Sequence, residues 1–310
     1  MNSTKVNWID MFPDEFHSAM KRRPVCYMAY GPAEPHGAYN TMGIDWVGTQ
    51  LFTEAAAKKF GGIVAPPFVW HIAEQPYHSY ETQFAGMGMS ITSSIPESLF
   101  LHNMLYHIRS MDTKGFHAGI LLSGHYMGGL GHDMRLLCDM YKQRTGSPIQ
   151  FYAATTDEIV EIEASAEHKR HAGVIETAQF MYLKPDGVDL DRLNREPNVP
   201  REIAGGAERF GYYCAPKGFE KDAELVTAEL GKQIVEKRLC KIGDIVSELL
   251  DNYEKEQKER KVVSITETEE LWTRFEMLTR KYWQCVLTKS EKENKITPPP
   301  FPGWKEMTPI

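Results

Sequence analysis

The chain has 310 residues, of which 42% are hydrophobic, so it is long enough to bury a large core and is not a disordered protein. Its 35 basic and 42 acidic residues give a formal net charge of −7, and we therefore expect no nucleic-acid partner. There is no run of eighteen apolar residues, and the N-terminal segment lacks the basic-then-apolar order of a signal peptide. We expect a cytoplasmic protein without a membrane partner.

The cysteines are scattered along the chain and never form a C-x-x-C pair. They are Cys26, Cys138, Cys214, Cys240 and Cys285. An odd number at wide spacing argues against a disulfide framework and against a thiolate metal site. We expect reduced thiols.

Four short apolar segments predict buried strands. They span residues 25–30, 62–68, 118–123 and 149–155. Each is followed by a helical pattern, and this alternation is typical of a mostly parallel sheet with helices on both faces. The sequence therefore predicts an α/β fold.

Two helices are predicted between these strands from their end signals. Asp45 is a candidate N-cap for the first helix, and Gly61 is expected to close it. Ser94 and Glu97 have the spacing of a capping box for the second helix, whose apolar pattern runs to Gly115.

The C-terminal part is predicted to be helical and to contain a boundary. Residues 221–261 read as a long helix with a break near Gly243. A solvated charge run near residue 255 divides the chain into a main domain, 1–255, and a C-terminal helical extension with a proline-rich tail, 256–310. One helical face of the extension carries Leu271, Phe275, Leu278 and Tyr282. We expect this face to pack on its own subunit or on a neighbour.

Metal-binding residue types cluster after the first strand. Glu34 and His36 lie two residues apart, so in an extended segment their side chains point the same way, and Asp45 follows after a glycine-rich gap. A carboxylate and imidazole set suits Zn²⁺, Mn²⁺ or Fe²⁺ better than Ca²⁺ or Mg²⁺. Each residue alone also has an ordinary interpretation as a helix cap, a hydrogen-bonded loop histidine or an exposed acid.

Two further segments bring residues of the same type. His125 directly follows the strand at 118–123, and ligands of open α/β sheets bind at the carboxyl ends of the strands. The glycines around His125 do not form a phosphate loop, because the motif lacks the required lysine and glycine order. His171 and Glu176 precede an apolar run, where Glu176 also fits the first turn of a helix.

The four segments, in this order, resemble the signature motifs of the creatininase family of metal-dependent amidohydrolases. They are "EPHG" at 34–37, "GID" at 43–45, "SGHYMGG" at 123–129 and "HAGVIET" at 171–177. The resemblance extends from about residue 20 to 250. It implies a three-layer α/β/α sandwich, two divalent metal ions per chain and hydrolysis of an amide-type C–N bond in a small or cyclic substrate. It also implies a homo-oligomer, commonly a hexamer.

The resemblance assigns the metal ligands by position. Glu34, Asp45 and His125 would hold one ion, while His36 and the shared Asp45 would hold the other. The chain departs from creatininase at Met127, where creatininase carries a glutamate. A thioether is a poor ligand for such an ion, and this departure argues against creatinine as the substrate.

Glu176 is the candidate to replace the missing ligand, because family members without that glutamate retain the one in the "HAG..ET" segment. The resemblance also places Tyr126 where creatininase has a substrate-contacting tyrosine. The segment 69–86 departs from the family pattern. Within it, His71, Glu74 and His78 are candidate pocket residues.

The implied mechanism is attack on an amide carbonyl by a water whose pKa is lowered from about 16 toward about 7 between the two ions. His171 would deliver a proton to the leaving nitrogen, or else orient Glu176. Two alternatives stay open. One is a metal-dependent lyase or isomerase acting on a small polar or sugar-like substrate, and the other is a non-catalytic relative.

Overall fold

The computed structural model describes residues 5–72, 92–93, 95–126, 129–193, 218–256 and 258–279. Its sheet has four parallel strands in the order β2-β1-β3-β4, so the parallel α/β prediction is confirmed. The strands are β1 Val25–Tyr30, β2 Ile63–Val64, β3 Ala118–Ser123 and β4 Gln150–Thr155. The predicted strand at 62–68 is wrong in extent, because the ladder covers only two of its residues.

Eight α-helices lie among the described residues. They are α1 Pro13–Arg22, α2 Ile44–Phe60, α3 Glu97–Thr113, α4 Leu130–Thr145, α5 Val174–Leu183, α6 Phe219–Asp222, α7 Ala228–Glu256 and α8 Ile265–Thr279. None of these helices is long and apolar enough to span a lipid bilayer.

The sheet separates two hydrophobic cores. Strand β1 is buried along its whole length, and its side chains alternate between the two cores, as the period of a strand requires. Cys26 and Met28 belong to the core under α3, α4 and α8, whereas Val25 and Tyr27 belong to the core under α2 and α7. Helices therefore cover both faces, and the three-layer α/β/α sandwich is confirmed.

The predicted helix starts need correction. Helix α2 begins at Ile44 with Gly43 at the cap position, so the prediction that Asp45 is the N-cap was wrong. Asp45 lies instead in the first turn of α2, at the carboxyl end of the sheet. Helix α3 begins at Glu97 with Pro96 at the cap position, so Glu97 is not the third helical residue that the predicted capping box required. Ser94, the other residue of that box, lies outside the described residues. Gly61 ends α2 at φ 82°, as predicted.

Helix α7 is continuous, and the predicted break near Gly243 was wrong. A Cβ at this position would lie 2.6 Å from the ring of Phe60 in α2. The glycine is needed for the close approach of an aromatic ring and not for a change of helix direction.

The described part of the C-terminal extension packs on its own chain. Leu271 and Phe275 of α8 are buried in the core under α3 and α4, while Leu278 is 53% exposed. Tyr282 lies outside the described residues. The division of the chain near residue 255 stays a prediction.

The cysteines in the described part of the chain are free thiols. Cys26 and Cys138 are buried in the core, and Cys240 is exposed on α7. Cys214 and Cys285 lie outside the described residues. The expectation of reduced thiols stays a prediction.

Candidate metal centre

The predicted metal-binding residues meet at the carboxyl end of the sheet. The loop after β1 carries Glu34 and His36, the first turn of α2 carries Asp45, the segment after β3 carries His125, and the first turn of α5 carries Glu176. Strands β1 and β3 are neighbours and parallel, so the segments that follow them leave from the same edge.

Two glycines let α2 approach this edge closely. A Cβ at Gly124 would lie 2.1 Å from the carbonyl oxygen of Asp45, and one at Gly31 would lie 2.7 Å from the amide nitrogen of Trp46. Any larger side chain would push the first turn of α2 away from the strands. The glycines therefore bring the Asp45 carboxylate to the segments that follow β1 and β3.

The first cluster of donor atoms contains Glu34, Asp45 and His125, all three of which are buried. His125 Nδ1 lies 3.1 Å from Glu34 Oε2 and 3.3 Å from Asp45 Oδ2. This is the set that the resemblance assigned to one ion.

The second cluster contains His36, Asp45 and Glu176. His36 Nε2 lies 3.2 Å from Asp45 Oδ1 and 3.4 Å from Glu176 Oε1. The other ring nitrogen, His36 Nδ1, donates to the carbonyl oxygen of Glu34 over 3.0 Å. This hydrogen bond leaves the Nε2 lone pair directed at the carboxylates, which is the arrangement of a metal-binding histidine.

Asp45 joins the two clusters. Its Oδ1 faces His36, whereas its Oδ2 faces His125. One carboxylate thus offers a separate oxygen to each donor set, as a ligand shared by two ions would.

The donor atoms fit divalent metal ions by geometry and by their lack of other partners. Two ligands that each lie about 2 Å from a tetrahedral ion lie about 3.3 Å from each other, close to the separations seen here. Among the described residues, both carboxylate oxygens of Glu34 and the Oδ2 atom of Asp45 are buried without a hydrogen bond. Buried carboxylates without partners are costly, and bound cations would compensate them.

The charges of the cluster reinforce one another. Burial opposes ionisation of Glu34, but the charge and hydrogen bond of His125, together with the charge of His171, hold the pKa of Glu34 below its usual range. Burial likewise opposes ionisation of Asp45, and His36 lowers the pKa of Asp45 below its usual range. Burial lowers the pKa values of His36 and His125, but the carboxylates raise both above the usual range. The carboxylates are therefore ionised. Their negative charge is balanced either by protonated histidines or by bound metal ions.

His171 lies beside the second cluster. Its ring centre is 4.1 Å from that of His36, and its Nε2 donates to the carbonyl oxygen of Pro35 over 2.9 Å. His171 Nδ1 is 4.0 Å from Glu34 Oε2. Burial, followed by the charge of His36, lowers the pKa of His171, so the neutral ring presents the Nδ1 lone pair to the site.

Glu176 is held by the strained turn that precedes α5. The amide of Ala172 donates to Glu176 Oε2 over 2.7 Å, and Ala172 itself has a positive φ of 57°. Tyr39 supports this turn by donating its hydroxyl to the carbonyl oxygen of Ala172. One oxygen of Glu176 is thereby used for positioning, and the other faces His36.

His71 lies behind the metal centre and not on the cavity wall. It is fully buried, and its Nε2 is 3.1 Å from Ser123 Oγ while its Nδ1 is 3.0 Å from the carbonyl oxygen of Ile72. Ser123 Oγ in turn accepts a hydrogen bond from the amide of His125 over 3.2 Å and lies 2.8 Å from the carbonyl oxygen of the same residue. This geometry does not fit the predicted substrate contact of His71. The residue supports the backbone that carries His125, and burial lowers its pKa to about 3.

A cavity of about 540 Å³ opens over the donor clusters. Its wall includes His36, Asp45, His125, His171 and Glu176, together with Tyr126, which is 59% exposed. The remaining predicted pocket residues, Glu74 and His78, lie outside the described residues, as does Met127.

Arg238 also lines this cavity, and the sequence reasoning missed it. The residue lies on α7 and is only 3% exposed. The sequence does mark Arg238 as unusual, because the residue lies four positions from both Ile234 and Ile242, within the apolar face of the helix. A cation on that face needs a buried anion or a ligand.

The chain belongs to the creatininase family. The family model described as creatinine amidohydrolase matches residues 10–246. The resemblance inferred from the four motifs is thus confirmed. No curated protein sequence matches the chain.

Solved structures of creatininase share the fold. A creatinine amidohydrolase (creatininase) structure has a TM-score of 0.60 at 20% identity, over 79% of this chain and 98% of that chain. Two further forms each have a TM-score of 0.58 over 79% of this chain and 98% of theirs. They are the manganese form, at 21% identity, and a variant of the Zn-Zn type, at 20% identity.

Proposed function

We propose that the protein is a metal-dependent amidohydrolase that cleaves an amide-type C–N bond of a small or cyclic substrate. The observation that carries this proposal is the position of Asp45, whose two oxygens face two separate donor sets beneath a cavity. Family membership and the manganese and zinc forms of creatininase support it.

Glu34, Asp45 and His125 would hold one divalent ion, and His36, Asp45 and Glu176 the other. Bound there, two Zn, Mn or Fe ions would supply a water of lowered pKa and a Lewis acid for the amide carbonyl. Glu176 takes the role for which Met127 is unsuited. Its carboxylate is already oriented by the amide of Ala172.

His171 is our candidate for moving the proton. Its Nε2–H is engaged with the carbonyl oxygen of Pro35, so Nδ1 is the atom that would accept a proton during addition of water. The same atom would return that proton to the leaving nitrogen as the C–N bond breaks. His171 also belongs to a donor set with Glu34 and His36, and a role as a ligand is the alternative.

The substrate we propose is a small molecule other than creatinine. A cavity of about 540 Å³ is of the size that holds one small ligand. The exposed Tyr126 at its wall is positioned to contact such a ligand. Met127 in place of the creatininase glutamate argues against creatinine itself.

We further propose a cytoplasmic homo-oligomer, with a hexamer as the expected form. The support is the family resemblance alone. Light scattering of the purified full-length protein tests the assembly, and a monomeric mass at micromolar concentration would contradict it.

The reaction class is tested by screening small cyclic amides with metal-reconstituted protein in ¹⁸O-labelled water. Hydrolysis predicts one labelled oxygen in the product carboxylate and a free amine. A product of the same composition as the substrate, or an unsaturated product without label, would instead support the isomerase or lyase alternative. If Asp45→Asn loses metal but the wild-type protein hydrolyses none of the cyclic amides, the metal site would be supported. The proposed substrate class would be contradicted.

A further inference from the structure

Arg238 is a buried cation on the wall of the cavity that opens over the metal centre. It is 3% exposed, and its α7 neighbours at helical spacing include Ile234, Val235 and Ile242. A guanidinium carries five N–H donors and keeps its charge under all ordinary conditions. Placing it here removes those donors from water, so their partners have to be found in the protein or in a ligand.

The protein provides only part of these partners. Arg238 donates one hydrogen bond to Gln179 in α5 and one to Asp157 in the turn after β4. The Asp157 side chain is 61% exposed, so the compensating charge lies toward solvent. Among the described residues, the Nε atom of Arg238 is buried and has no hydrogen-bond partner.

The lysine and the other arginine described on the cavity wall are engaged at the surface. Lys169 lies 3.8 Å from Glu161, and Arg170 lies 3.4 Å from Glu167. These ion pairs are partly or largely exposed and therefore contribute weak fields. Of the lysine and arginine residues described on this wall, Arg238 is the one that is buried.

The position of Arg238 relative to the metal centre suits one small ligand. Its partner Gln179 comes three residues after Glu176 on α5, which is about 4.5 Å along the helix axis. Both residues line the same cavity. A molecule whose amide lies over the donor clusters would therefore extend toward the guanidinium.

We propose that Arg238 binds a carboxylate group of the substrate, so that the enzyme acts on small amides that carry a carboxylate. This deepens the proposed function and rests on it. The guanidinium pairs with a carboxylate through parallel N–H···O bonds, and such charged bonds are strong in a desolvated site. The second hydrogens of the two terminal nitrogens are the donors for this pair.

A purely structural role is the competing explanation. Arg238 also links α7 to α5 and to the turn after β4, and an arginine that serves only this link predicts no preference for anions. In that case Arg238→Gln and Asp157→Asn would lower the melting temperature to similar degrees and leave ligand selectivity unchanged.

The test measures binding of cyclopentanecarboxylate and of cyclopentylmethanol to the full-length protein by titration calorimetry. The two probes match in shape, and neither contains an amide that could be cleaved. We expect the wild-type protein to bind the carboxylate at least tenfold more tightly. Arg238→Gln should abolish this preference. Gln179→Glu should abolish it too, because it places a competing carboxylate against the guanidinium with little change of shape.

Lys237→Gln is the matched control, since Lys237 is the adjacent, exposed basic residue on α7. It should leave the preference unchanged. A preference that persists in both Arg238→Gln and Gln179→Glu, or no preference in the wild-type protein, would overturn the proposal. If the preference is lost only in Asp45→Asn, the carboxylate of the probe binds to the metal ions and not to Arg238. This result would also overturn the proposal. Because the probes are not substrates, failure of the proposed hydrolysis appears separately, in the metal content and in the amide screen.

Discussion

Asp45 Oδ2 lies 3.3 Å from His125 Nδ1, and a glycine beside the histidine makes this contact possible. The backbone of Gly124 touches the carbonyl of Asp45 so closely that a Cβ would lie 2.1 Å from its oxygen. The metal centre therefore depends on direct packing of the first turn of α2 against the ends of the strands.

Gly124→Ala should destabilise the fold by about 1–3 kcal/mol, because the added methyl group has to displace backbone and not a flexible side chain. It should also reduce metal content by moving Asp45 away from His125. Thermal unfolding and elemental analysis measure the two effects. Gly48→Ala is the control, since its Cβ would meet Phe180 at an ordinary 3.5 Å. An unchanged melting temperature in Gly124→Ala would contradict the packing argument.

Ser123→Ala should weaken metal binding by about 10- to 100-fold, as loss of a supporting hydrogen bond does in other metal sites. The hydroxyl of Ser123 connects His71 to the backbone of His125, and its removal frees the histidine to move. Competition with a chromophoric chelator measures the affinity. Ser247→Ala, on an exposed part of α7, is the control. Equal affinities in the two variants would exclude a positioning role for Ser123.

Once a substrate is found, His171→Asn should lower kcat by about 10²- to 10⁴-fold, the usual contribution of a positioned acid or base. The metal content should stay at the wild-type value, because the proposed ligands are intact. Single-turnover kinetics and elemental analysis on the same preparation separate the roles. Loss of one metal ion from His171→Asn would show that His171 is a ligand.

Gly243→Ala should destabilise the protein by about 1–3 kcal/mol, because the new methyl group would meet the ring of Phe60 at 2.6 Å. The smaller side chain of Phe60→Leu should recover part of this loss in the double variant. Chemical denaturation of the four proteins gives the coupling energy. Additive effects of the two substitutions would show that Gly243 is required for a reason other than its contact with Phe60.

The sequence was sufficient to predict the parallel sheet, because its strands are buried on both faces and read as continuous apolar runs. It also indicated the candidate metal-binding residues, through four short motifs whose order is that of a known family. The pairing of Asp45 with both histidines was implied only by that resemblance, since residue spacing does not show the contact between α2 and the end of β3 on which it depends.

The errors have physical causes. Gly243 was interpreted as a helix break, although it makes room for Phe60, a residue far away in the sequence. Arg238 was overlooked because a helical pattern shows that a residue lies on an apolar face but not that this face borders a cavity. His71 has a metal-binding residue type, yet tertiary packing places it behind the site.

The most direct test of the metal centre is elemental analysis of the purified wild-type protein beside Asp45→Asn and Asp157→Asn. Asp157 provides the matched control, as an exposed aspartate on the same cavity wall. Two divalent ions per chain in the wild-type protein and in Asp157→Asn, with loss of both from folded Asp45→Asn, is the result we predict. Folded wild-type protein that cannot be loaded with zinc, manganese or iron, or metal content that is indifferent to Asp45, would contradict the account.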